Sequence, residues 1–167
     1  PSEFTLHLLC HPATPARQVR TIEVHAARSP AGGLELAYCL RGDMARLLIP
    51  APTEPGPANE LWEHSCFVAI AGDAVYHEFN FSPSGQWAAF AFSGYRRRDR
   101  ESILAAAPQI AARLFAGRLE LEAVIGPALL PPELWHGHEL IYGFASAFIC
   151  GFVLTALPSW AGTREVK

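Results

Sequence analysis

The chain has 167 residues, of which half are hydrophobic, and 13 Lys and Arg stand against 16 Asp and Glu for a formal net charge of −3. That length supports one domain with a full core, or a smaller domain with an appendage, and the acidic balance speaks against a nucleic-acid partner. The one basic cluster (Arg96, Arg97, Arg98 and Arg100) is offset by Asp99 and Glu101, and it reads as a solvated loop or an anion contact.

Residues 4–9 form a short apolar run ahead of the turn-prone His11-Pro12-Ala13-Thr14-Pro15. In residues 19–25, Val19, Thr21, Glu23 and His25 alternate with Arg20, Ile22 and Val24. Residues 34–41 give the clearest half-buried strand, with Leu34, Leu36, Tyr38 and Leu40 on one face. Residues 47–49 suggest another short strand. Residues 50–57 hold four prolines and are expected to stay outside any ladder. Strand character resumes over residues 61–71.

Residues 75–92, VYHEFNFSPSGQWAAFAF, predict a hairpin, two strand-like runs joined by Ser82-Pro83-Ser84-Gly85. In the first run Val75, His77, Phe79 and Phe81 share one face, and Tyr76, Glu78 and Asn80 the other. Residues 97–107 read as a loop or weak helix, and residues 109–115 and 118–124 as two strands around Ala116-Gly117. Many short strands with Gly and Pro punctuation argue for an antiparallel β-sandwich.

From Gly126 the character changes. Residues 140–162 contain no charged side chain, and about 20 such residues can cross a bilayer as a helix. Small residues suit helix packing in lipid, and Trp135, Tyr142 and Trp160 resemble an aromatic belt. A buried helix of a soluble protein is the alternative. The expected fold class is therefore mainly β: an antiparallel sandwich over residues 1–125, then one hydrophobic C-terminal helix within residues 126–167. Such a chain is membrane-associated if that helix inserts. The chain opens on Pro1 without a charged-then-apolar leader, so its start leaves the compartment open.

No GxSxG elbow, HExxH helix or phosphate-cradling glycine loop is present, and a non-enzymatic protein is expected. Cys10, Cys39, Cys66 and Cys150 form no CxxC pair, which favours buried thiols over a disulfide framework. A binding face would draw on Trp62, Tyr76, Trp87 and Tyr95 for stacking, with His64, Glu78 and Asn80 as hydrogen-bonding groups. The competing reading makes Trp62 and Trp87 core aromatics and Glu78 and Asn80 a solvent face. Glu78 paired with Glu63 or Glu120 is the nearest approach to a glycosidase arrangement.

Two stretches carry resemblances. The segments LHLLCHPATPARQV, LELAYCLRGD, ELWEHSCF and YHEFNFSPSGQWAAFAFSGYR make residues 4–124 similar to the bacterial DOMON-like domain family, related to carbohydrate-binding module family 9. That resemblance implies a non-catalytic sandwich that binds a small molecule, sugar or haem. Val68 departs from the acidic residue usual after Cys-Phe, and further C-terminal strands of the family are absent, which would leave an unpaired sheet edge. The stretch PALLPPELWHGHELIYGFASAFICGFVLTALPSWAG resembles the NnrS family instead. This second resemblance implies a polytopic membrane protein that binds haem and copper and is linked to nitric-oxide stress. His136 and His138 are the candidate metal ligands, oriented by Glu139. On a helix these histidines point about 160–200° apart, so one metal takes both only if the segment is extended. Two families meeting near Ile125 point to a fusion, a frameshift or an assembly error.

Overall fold

The computed structural model describes residues 3–10, 12–13, 15–72, 76–99 and 107–127. Ten strands follow in chain order: β1 (Glu3–Leu8), β2 (Val19–Arg28), β3 (Leu34–Gly42), β4 (Gly56–Pro57), β5 (Phe67–Gly72), β6 (Tyr76–Phe81), β7 (Gln86–Phe92), β8 (Arg98–Asp99), β9 (Gln109–Phe115) and β10 (Arg118–Ile125). The first sheet is antiparallel in the order β1-β2-β3-β10-β9. The second runs β4-β7-β6-β5, with β8 also on β7.

Alternation decides which side chains meet between the sheets. On the first sheet Leu40 pairs with Ile22 and Leu119, Tyr38 with Val24 and Leu121, and Leu36 with Ala26 and Ala123. These residues join Phe67, Phe79 and Phe81 of the second sheet in one buried cluster. Tyr38 ties the layers together. Its ring lies 5.0 Å from that of Phe67, and its hydroxyl donates to the Val68 carbonyl at 3.2 Å. Burial pushes the Tyr38 phenol above its ordinary range, so it remains a donor.

Local deviations from strict alternation have identifiable causes. The register shifts between Val19 and Thr21, marking a bulge. Val19 thereby packs against the same core as Ile22, although simple alternation sets them on opposite faces. At Gly42, a Cβ would collide with the Gln18 carbonyl oxygen, so only glycine allows the two backbones to approach this closely. In the β6–β7 hairpin Gly85 has φ 91, and Ser82 and Ser84 are buried with their hydroxyls 2.8 Å apart.

Several expectations are corrected. Residues 47–49 form no strand; Leu47 closes the 3₁₀ turn Met44–Arg46 and drops its side chain into the core. The proline-rich segment does reach a ladder. The Thr53 amide donates to Ser84 O, and Gly56–Pro57 then pairs with β7 in parallel, at a sheet edge where proline's missing N–H costs nothing. Strand character begins at Phe67 rather than Leu61, because Glu60 adopts a left-handed conformation and Leu61–Glu63 closes a 3₁₀ turn. The fold class as a sandwich followed by a C-terminal helix is also corrected. The described residues are mainly β, with two sheets, no α-helix, and no helix long and apolar enough to cross a membrane. The candidate helix at 140–162 lies outside the described residues, as do His136, His138 and Glu139.

Candidate ligand-binding face

The second sheet carries apolar side chains on both faces. Its inner face supplies Phe79 and Phe81 to the main core. Its outer face presents three cross-strand rows: Val68–Asn80–Ala88, Ile70–Glu78–Phe90, and Tyr76 with Phe92. The segment 58–66 folds over part of this face, where Leu61, Cys66, Ala88 and Phe90 form a second small cluster. Tyr76, Glu78 and Asn80 therefore share a face, as their spacing in the sequence implies.

A hydrogen-bonded chain runs outward across that face. The Cys66 thiol donates to Asn80 Oδ1 at 3.7 Å, and Asn80 Nδ2 donates to Glu78 Oε1 at 2.8 Å. Cys66 is fully buried and Asn80 is 4% exposed, whereas Glu78 is half-buried. Burial first, and the Glu78 charge second, push the Cys66 thiol up to about 12, against a backbone hydrogen bond at Phe81 that lowers it. The sulfur is thus a protonated donor and not a nucleophile at neutral pH. The thiol's hydrogen bond orients the Asn80 amide, whose Nδ2 in turn holds the carboxylate at the rim.

Beside Glu78 lies an aromatic wall. The rings of Tyr76 and Phe92 stack at 4.5 Å and 8°, and the Arg96 amide donates to the Tyr76 hydroxyl at 3.4 Å. The Arg98 guanidinium sits 3.7 Å from the centre of Phe90. A half-buried carboxylate, flat rings and a guanidinium on one surface suit a polar molecule with a planar or pyranose-like face.

The other candidates fall elsewhere. Trp87 pairs with Phe81, and its side chain takes the inner-face parity, opposite to Tyr76, Glu78 and Asn80. Trp62 is 48% exposed and His64 is exposed, both following the Leu61 anchor. Tyr95 is 83% exposed, with Arg96 over its ring. Glu120 belongs to β10 and pairs with Arg113 and Arg118, so Glu78 and Glu120 lie on opposite outer faces of the sandwich. Cys66, Phe90, Phe92 and Arg98 are members of the face that were not singled out from the sequence. For the two phenylalanines the signal was present: Ala88, Phe90 and Phe92 alternate with Trp87, Ala89 and Ala91.

The described residues define a two-sheet β-sandwich with one polar–aromatic outer face. Among them no group of three or more His, Cys, Asp or Glu side chains could hold a metal ion. The family model described as NnrS protein matches residues 102–167. The match begins upstream of β9 and so covers the β9–β10 hairpin as well as the hydrophobic stretch that carries the resemblance. No curated protein and no solved structure matches the chain, and the DOMON-like resemblance has no counterpart among these findings.

Proposed function

We propose that the chain is a piece of an NnrS-like haem- and copper-containing membrane protein of the nitric-oxide stress response. The match over residues 102–167 carries this reading. Among the described residues no group of three or more His, Cys, Asp or Glu side chains could hold a copper ion, and Cys66 holds its proton. Metal or haem binding on this reading therefore falls to His136 and His138, and membrane contact to residues 140–162.

A second reading concerns the sandwich: a non-enzymatic module that binds a small molecule, sugar or haem, on the outer face of the second sheet. It is supported by the convergence of Tyr76, Glu78, Asn80, Phe90, Phe92 and Arg98. Trp62, His64 and Tyr95 would contribute from the flanking loops, whereas Trp87, with its inner-face parity, would not.

Reconstitution of the full chain with haem in detergent separates the two. A Soret band lost on replacing His136 and His138 by alanine supports the NnrS-like reading. A band that survives that change and is lost with Tyr76→Ala assigns haem to the sandwich. Absence of any band removes haem from both.

A further inference from the structure

We infer that the free edge of the first sheet, strand β9, is a docking edge for a second copy of this chain, which extends the sheet by an antiparallel β9–β9 pair across a two-fold axis. The inference is independent of the ligand proposed above. Among the described residues β9 has one ladder partner, β10, and it is seven residues long without proline, glycine or a bulge. Its core-face row is Ile110, Ala112 and Leu114, set opposite Ala123, Leu121 and Leu119. Those three β10 residues are at most 1% exposed, yet Leu114 is 58% exposed and only Ile110 packs against the core. The β9 row beyond Ile110 is thus an exposed apolar ledge. At the opposite edge Phe4 and Leu8 of β1 pack against the core, so the uncovered ledge distinguishes β9.

The occupant follows from the order of residues along the strand. An antiparallel pair centred on Ala112 sets Ala112 against its own copy, Ile110 against Leu114, Ala111 against Arg113 and Gln109 against Phe115. The core-face row becomes a continuous apolar strip on both copies. The only charge on the strand, Arg113, meets alanine rather than a like charge, and it is already held by Glu120 and Glu122 of its own sheet. A strand that matches itself in shape and charge at one register favours a second copy over an unrelated partner.

The two-fold register makes a geometric prediction. Copies of residue 112 face each other at a Cα separation of about 4.5–5.5 Å, within the range a disulfide spans. Copies of residue 111 are displaced by two residues along the strand, to about 8 Å, beyond that range. The test uses the full chain in detergent with Cys10, Cys39 and Cys150 replaced by serine, oxidised after Ala112→Cys or Ala111→Cys. A reductant-sensitive dimer at least about fivefold more abundant for Ala112→Cys is expected. Leu114→Glu in the Ala112→Cys chain abolishes that dimer while the circular dichroism of the sandwich is unchanged. No dimer with Ala112→Cys, or equal yields from the two cysteines, overturns the inference.

Discussion

Replacing Tyr38 by phenylalanine isolates a single inter-sheet hydrogen bond, because the ring and its contact with Phe67 are retained. The hydroxyl donates to Val68 O at 3.2 Å from a site that is 5% exposed. A net intramolecular hydrogen bond contributes about 1 kcal/mol, so Tyr38→Phe is expected to cost that much at neutral pH. Alkali then reverses the order. The folded phenol is raised by burial above its ordinary value of 10.0, so the unfolded chain releases this proton first. The tyrosine contribution is therefore complete below pH 10 and declines above it, approaching about 1.4 kcal/mol per pH unit. A deficit of about 1 kcal/mol is offset at roughly half a pH unit or slightly more above 10, so the two proteins reach equal stability near pH 10.6. Urea unfolding of the full chain in mild detergent, followed by tryptophan fluorescence at pH 7, 9, 10 and 11, measures the difference. A gap that stays constant from pH 7 to 11 would refute the assignment of a buried, protonated Tyr38 bridge.

Further outcomes follow from packing and burial. Gly42→Ala is expected to destabilise the sandwich by more than about 2 kcal/mol in the same urea assay, since a Cβ there meets the Gln18 carbonyl. Gly56→Ala, where a Cβ meets nothing, stays within about 0.5 kcal/mol of the parent. Cys66 should resist a thiol reagent at pH 8 until urea unfolds the chain, whereas the exposed Cys10 reacts at once, as mass spectrometry of the labelled peptides will record. Because the Cys66 thiol rises from 9.0 to about 12 on folding, the stability it confers is complete below pH 9 and is lost as pH climbs toward 12. Cys66→Ala should flatten that part of the stability profile.

Where a strand buries one face, its side chains were legible from period-two alternation alone: Leu36, Tyr38 and Leu40, and likewise Leu119 and Leu121, point inward as the pattern implies. The common face of Tyr76, Glu78 and Asn80 was legible for the same reason. Alternation fails where an extra residue enters, as at Val19, because a bulge leaves no composition signal. It also fails where apolar residues serve a loop: Leu47 and Leu61 are buried from 3₁₀ turns, and hydrophobicity alone does not separate a turn that plugs a core from a strand. Stacking chemistry alone groups Trp87 with Tyr76, but the register of Trp87 with Phe81 places it on the other face. The Cys66–Asn80–Glu78 chain joins residues up to 14 positions apart, and nothing local announces such a contact.

The extent of the family match bears on how the sandwich and the hydrophobic stretch are related. A boundary at Ile125 separates them by composition, yet the match starts at residue 102 and takes in both β9 and β10. Strand β10 is not peripheral. It lies between β3 and β9, pairs with β3 from Arg118 to Ile125, and buries Leu119, Leu121, Ala123 and Ile125 at 0–1% exposure. Full burial of a Leu or Ile side chain contributes about 1.5–3 kcal/mol, so the three larger residues together contribute about 5–9 kcal/mol. That is comparable with the whole net stability of a typical domain, roughly 5–15 kcal/mol. Residues 3–99 without β10 would expose Leu40 and Tyr38 along one side and leave β3 as an edge strand of the first sheet. The strand that completes the sandwich core thus lies inside the segment that the NnrS family model matches.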